Sequence, residues 1–211
     1  MEYAYKDLLR KDILRMIPAD GRIIGSIGCG TAFTEETLVR QGREVHGVDI
    51  AQEAIDIAST RITSARVVKP DDWHAFPKDS LDGLILADVI EHIPFAWDAL
   101  KAFAAAVKPG GWIAISTPNM RNIDVLRTFF LGGDWPEPML GIFDRTHVQV
   151  MSHLRLTRWC VGAGLRIERW FDQYDPYGPR RLAFFRSLDL ITLRCFHTWF
   201  MYQLQVLCRR V

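Results

Sequence analysis

The stretch Arg22–Ala32, RIIGSIGCGTA, is an apolar run that breaks into the turn Gly28-Cys29-Gly30. Arg22 to Ile27 is rich in isoleucine and reads as a buried strand. The two glycines permit a tight turn and let a ligand approach the backbone closely. A helix then runs to about Gln41, with Thr31 or Thr34 as its expected cap and Glu35 and Glu36 at its positive end. A glycine turn between strand and helix also serves as a plain connector. Its weight therefore rests on what surrounds it.

On the C-terminal side the same alternation continues. Glu44 to Asp49 (EVHGVD) is the next strand, Gln52 to Thr60 the next helix, and Arg66 to Lys69 a short strand. Leu81 to Ala87 (LDGLILA) is nearly all apolar, as strands inside parallel sheets are. Phe95 to Val107 is a helix stopped by Pro109-Gly110-Gly111, and Trp112 to Thr117 a fifth strand. On the N-terminal side, Leu8, Leu9, Asp12, Ile13 and Met16 give a short helix ended by Pro18. The alternation predicts an α/β fold with a Rossmann-like, doubly wound, mostly parallel sheet and its ligand at the carboxyl ends of the strands.

After Pro118 the rhythm changes. Gly132-Gly133, Pro136, Pro138 and Gly141 interrupt residues 119–150, which read as a substrate lid inserted into one domain spanning 1–211. Met151 to Val161 is a helix and Leu165 to Phe171 a strand. Arg181 to about His197 is an amphipathic helix, and Trp199 to Cys208 the last strand.

The 211 residues carry a net charge of +1, which argues against a nucleic-acid target recognised by bulk charge. The four cysteines share no CxxC spacing, so neither a disulfide framework nor a metal site is expected. With no leader or membrane-span pattern, a cytoplasmic location is expected. From Arg155 onward ten arginines face only Glu168, Asp172, Asp175 and Asp189. The arginines of Arg180–Arg186 border an apolar helix. It reads as packed on the sheet, with a membrane surface or a homodimer contact as the other uses of that face.

Four features in order carry chemistry. Gly28, Cys29 and Gly30 form the turn. Asp49 ends the second strand about twenty residues on, where a carboxylate accepts ribose hydroxyls; it also suits capping of the Gln52 helix. Asp71, Asp72 and Trp73 follow the third strand, where an acid can bond an adenine amino group and an indole can cover the ring. Ala87-Asp88-Val89-Ile90-Glu91-His92 follows the fourth strand and places polar groups at the sheet's carboxyl edge.

Together these segments resemble the class I S-adenosylmethionine-dependent methyltransferases. RIIGSIGCGTA is similar to their glycine motif, HGVDIAQEAIDIA to their ribose motif and SLDGLILADVIEHI to their fourth-strand motif. The resemblance runs from about Arg22 to Leu207 and implies an antiparallel last strand. It also implies S-adenosyl-L-methionine as cofactor, with Ser26, Ile50 and Ala87 joining the binding residues above. The segment NIDVLRTFFLGGDW…GIFDRTHVQVMSHLRLTRWCVGAGLRI resembles a bacterial glycan-associated subgroup and, more loosely, MetW-like proteins. The acceptor implied is a small molecule, sugar or lipid-linked precursor, methylated on oxygen. The chain departs from the family pattern twice: Ser26 stands where an acid is usual, and Ala32 replaces the third glycine.

A hydroxyl acceptor calls for a general base. His147 is the first candidate, oriented by Asp144, and His92 the second; each also suits a structural hydrogen bond. Two rival readings remain. An NAD-dependent dehydrogenase would use the same turn and acid, but Phe33 occupies the third glycine position of GxGxxG. A non-catalytic, regulatory member of the fold stays open because of Ser26. Ser116-Thr117-Pro118-Asn119 is unlike the NPPY-type motif of amino-methylating enzymes that act on nucleic acids.

Overall fold

The computed structural model describes residues 7–138, 141–174 and 178–211. Met139 and Leu140 of the expected lid, and Asp175 of the basic C-terminal part, lie outside the described residues. The strands are β1 (Ile23–Ile27), β2 (Glu44–Asp49), β3 (Ser64–Val67), β4 (Leu81–Ala87), β5 (Val107–Pro118), β6 (Leu165–Gln173) and β7 (Gln203–Arg210). They form one sheet in the order β3-β2-β1-β4-β5-β7-β6. β1 to β5 pair in parallel, and β7 runs antiparallel between β5 and β6. The expected sheet and its antiparallel last strand are both present. Strand order reverses between β1 and β4, so a crevice opens at their carboxyl ends.

Strand periodicity sorts the side chains between two cores. On one face Leu84 and Leu86 of β4 and Ile113 and Ile115 of β5 pack under α4 (Ala96–Ala106) and, after the one-turn α5 (Ile123–Leu126), α6 (His153–Gly162). On the other, Ile85, Trp112 and Ala114 meet α1 (Lys11–Leu14), α2 (Glu36–Arg40) and α3 (Gln52–Ala58). Each fully buried Leu or Ile contributes about 1.5–3 kcal/mol. Trp112 is wholly buried, and its indole N–H donates to the Asp20 carbonyl at 3.0 Å.

Several boundaries differ from the sequence expectation. Neither Thr31 nor Thr34 caps α2. Thr31 donates to Asp7, and Thr34 bonds the backbone of Leu8 and Arg10, so both hold the N-terminal segment instead. β3 begins two residues early because it pairs with β2 from Ser64. β5 starts at Val107, before Pro109, and a register irregularity between Leu81 and Gly83 accommodates the Pro-Gly-Gly segment. The expected helix to His197 ends at Ile191 (α7, Pro179–Ile191), since Leu193 and Arg194 adopt φ of 49° and 62°. Trp199 lies in α8 (His197–Phe200), not in the last strand.

The burial of α7 also departs from expectation. Only Phe185 and Asp189 are buried, against Tyr174, Phe200 and Met201 rather than the main sheet cores. Phe184, Leu190 and Ile191 are 60%, 75% and 76% exposed, so the helix does not bury its apolar residues on the sheet. No helix among the described residues is long and apolar enough to cross a membrane.

Gly83 shows how closely the sheet is packed. A Cβ there would lie 2.2 Å from the Trp112 ring. Gly83→Ala should therefore cost about 1–3 kcal/mol through overpacking. Thermal unfolding followed by circular dichroism should show Tm falling by roughly 2–4 °C per kcal/mol; an unchanged Tm would contradict this packing.

Candidate active site

The glycine turn is built by backbone pairing at the carboxyl end of the sheet. Gly28 and Cys29 donate their N–H groups to the Val48 carbonyl at 2.8 and 3.1 Å. Gly30 N–H donates to Asp49 Oδ2 at 2.8 Å, and Ala51 N–H to Asp49 Oδ1 at 3.1 Å. Asp49 thus braces the turn and the start of α3 with one buried carboxylate. Gly28 and Gly30 sit at φ of 66° and 52°, the left-handed region. A Cβ on Gly28 would also meet Val89 Cγ2 at 2.6 Å. Ala32 lies at φ 54°, a backbone that favours the glycine usual at this position.

Two cavities adjoin at Gly28. One, of about 250 Å³, is lined by Asp49, Ile50, Asp72, Trp73, Asp88 and His92 among others. Its apolar walls and the carboxylate at the end of β2 fit a flat base and its ribose. Ile50, 54% exposed, presents an apolar side chain at the rim of this cavity. The other, of about 280 Å³, is lined by Arg10, Gly28, Cys29, Gly30, Glu35 and Ala87 among others. Of the residues singled out in sequence, Ser26, Asp71, Asp144 and His147 line neither cavity. Asp71 is exposed, whereas Ser26 is fully buried and donates its hydroxyl to Glu35 Oε1 at 2.7 Å.

Asp88 stands at φ 56° just past β4, a strained position for a residue with a side chain. Its carboxylate accepts from Arg10 Nη1 at 2.5 Å, from Gln203 at 2.9 Å and from Ser116 at 3.1 Å. Arg10 also pairs with Asp12, so the N-terminal segment is pinned across the sheet edge. Nothing in the local sequence marks Arg10, because Asp88 and Gln203, its partners at the site, lie 78 and 193 residues away.

The two histidines, alternative base candidates in the sequence, lie side by side. The His92 and His147 rings lie 4.8 Å apart. Asp144 does not orient His147. Its Oδ1 instead accepts from the Thr146 hydroxyl at 2.6 Å and the Thr146 N–H at 2.8 Å. These bonds outweigh burial and hold Asp144 below the usual carboxylate range. With its proton directed at Asp144, the Thr146 hydroxyl accepts from His92 Nδ1 at 3.0 Å. That assigns the proton of neutral His92 to Nδ1 and leaves Nε2 as the basic nitrogen. His147 donates Nδ1–H to the Ile142 carbonyl at 3.3 Å. Burial, and repulsion from His147, depress the pKa of His92. Thr146, the middle of this relay, is the residue that sequence reading missed; the DRTH segment alone does not reveal it.

Beside the pair, Glu91 is buried, and burial together with the nearby Asp88 charge pushes its pKa well up. Its backbone carbonyl accepts from Val148 and Gln149, which ties segment 141–150 to the site. Glu91, His92 and His147 bring one ligand atom each within 4.8 Å of one another, the one such grouping among the described residues.

Comparison with known proteins follows the same lines. The methyltransferase domain family matches residues 1–169. The ubiquinone biosynthesis O-methyltransferase of Leptothrix cholodnii is 26% identical, over 81% of this chain and 74% of that one. The Coxiella burnetii protein of the same name is 28% identical, over 74% and 69%. A solved SAM dependent methyltransferase from Archaeoglobus fulgidus superposes with a TM-score of 0.66 at 16% identity, covering 95% of this chain and 90% of that one. That likeness is one of fold.

The relay predicts a titration. Nitrogen-resolved NMR at neutral pH should show His92 uncharged with its proton on Nδ1, titrating below the ordinary value of about 6.5. Thr146→Val should weaken the tautomer preference without abolishing it, because Nδ1–H also donates to the Thr146 carbonyl at 3.3 Å. A His92 that is already charged near pH 7 would contradict the arrangement.

Proposed function

The chain belongs to the methyltransferase domain family, and from that premise we propose that it methylates a hydroxyl of a small molecule, with S-adenosyl-L-methionine as cofactor. The observation that carries this reading is the pairing of the braced glycine turn and Asp49 with His92 in one cavity. Asp49 would hold the ribose, and Ile50 and Trp73 would enclose the base.

When bound, S-adenosyl-L-methionine supplies a methyl group already activated by its sulfonium. The protein then has to align the acceptor, exclude water and remove a proton. His92 takes the hydroxyl proton at Nε2 while Nδ1–H stays on Thr146. Thr146 and Asp144 stabilise the imidazolium that forms, much as a buried acid does through any orienting bond. A depressed pKa favours the unprotonated imidazole, the form that can accept a proton. His147 lies close enough that a proton on one ring disfavours a proton on the other. It is the second candidate, since its Nδ1–H bond to Ile142 also leaves Nε2 basic.

Residues 119–150 would act as the lid over the acceptor. The hydrogen bonds from Val148 and Gln149 to Glu91 fasten one end, and those from Asn119 and Asn122 to the Met201 carbonyl fasten the other. Phe129, Phe130 and Leu131, which are exposed between these anchors, give the lid an apolar surface for an acceptor. The name shared by the relatives supports an oxygen acceptor on a small molecule.

Methyl-labelled cofactor offered with a panel of hydroxylated small molecules, sugars and lipid-linked precursors should place label on oxygen. His92→Ala should lower turnover roughly a hundredfold or more while S-adenosylhomocysteine affinity is kept. Label found only on nitrogen or carbon would overturn O-methylation. Equal turnover by the variant would pass the base role to His147.

A further inference from the structure

The acid usual at position 26 has not been lost from the site. We propose that Glu35 replaces it, reaching from the start of α2 to hold the ammonium group of the cofactor's amino-acid end. This assignment rests on the cofactor reading above.

Three observations support it. Ser26 lies at the carboxyl end of β1, fully buried, and its hydroxyl donates to Glu35 Oε1 at 2.7 Å. Glu35 is itself only 7% exposed, and it lines the cavity that adjoins the Asp49 cavity at Gly28. A ligand whose base and ribose occupy the first cavity would pass Gly28 and carry its other end into the second. Finally, a buried carboxyl is stable as an anion only beside a cation or enough donors. Ser26 donates to Oε1 and a backbone N–H adds a second bond, but neither brings a positive charge into contact with the carboxylate. The charged neighbours on the elements around it are Arg10 and Asp49, which act in opposite directions. Arg10 is already engaged by Asp12 and Asp88. Burial pushes the pKa of Glu35 up, and the Ser26 bond only partly offsets this. An ammonium arriving in the cavity is the partner that this carboxyl lacks.

The substitution is therefore an exchange of positions. A hydroxyl stands where the acid is usual, and the acid stands one helix start away, on that hydroxyl. It also answers the reading of the chain as a non-catalytic member, which rested on Ser26.

Calorimetry with two ligands separates this role from a structural one. S-adenosylhomocysteine carries the amino-acid end, and methylthioadenosine lacks it. Glu35→Gln preserves shape and the bond from Ser26. It should weaken S-adenosylhomocysteine by at least about tenfold, the worth of one charge-assisted bond, and leave methylthioadenosine within about twofold. The double variant Ser26→Asp/Glu35→Ser, which returns the charge to position 26, should recover the affinity. Unchanged S-adenosylhomocysteine binding by Glu35→Gln, or equal loss of both ligands, would overturn the assignment. If the unaltered protein binds neither ligand, the cofactor reading fails and this assignment falls with it.

Discussion

The bond from the Gly30 amide to Asp49 Oδ2 is the constraint on which the site depends. It joins the turn after β1 to the end of β2, while Gly28 and Cys29 fasten the same turn to Val48. Val89, packed where a Gly28 side chain would lie, closes the third side from the loop after β4. Three strand ends are thus locked around one piece of backbone. Because the turn is rigid, both cavities keep a fixed relation across Gly28, and a ligand spanning them meets groups that are already in place. Such preorganisation is what a methyl transfer asks of a protein, since alignment does most of the work.

The second constraint is electrostatic. Asp88, Glu91, Asp49 and Glu35 all lie near the carboxyl edge of the sheet, and each is handled differently. Asp88 is neutralised by Arg10 and two further donors. Asp49 accepts one backbone amide on each oxygen. Glu91 is driven toward its neutral form by burial and by Asp88. Glu35, held by the Ser26 hydroxyl and a backbone bond that do not offset its burial, is the one of the four that lines the second cavity. A partly compensated acid at a cavity wall favours a cationic ligand.

What the sequence discloses follows from how local each feature is. The turn at Gly28-Cys29-Gly30, the acid ending β2 and the apolar β4 run are each contained in a few residues, so periodicity and turn chemistry place them. The contacts that complete the site are not local. Thr146 meets His92 across 54 residues, and Arg10 meets Gln203 across 193. Glu35 was hidden for another reason. A glutamate at a helix start is ordinarily a solvated partner of the helix dipole, and nothing in TEET distinguishes one that turns inward. The threonines failed as caps because the N-terminal segment competes for them. In α7 the apolar residues suggested packing, yet most of them face outward.

The central claim is that Asp49 and the glycine turn form an adenosyl site for a methyl donor rather than a dinucleotide site. Calorimetric titration with S-adenosylhomocysteine and with NAD tests it most directly, using the unaltered protein and Asp49→Ala. The account predicts that S-adenosylhomocysteine binds, that NAD does not, and that Asp49→Ala weakens the first by at least about tenfold through loss of charge-assisted bonds. Preferential binding of NAD, or unchanged S-adenosylhomocysteine affinity in a folded Asp49→Ala variant, would contradict it.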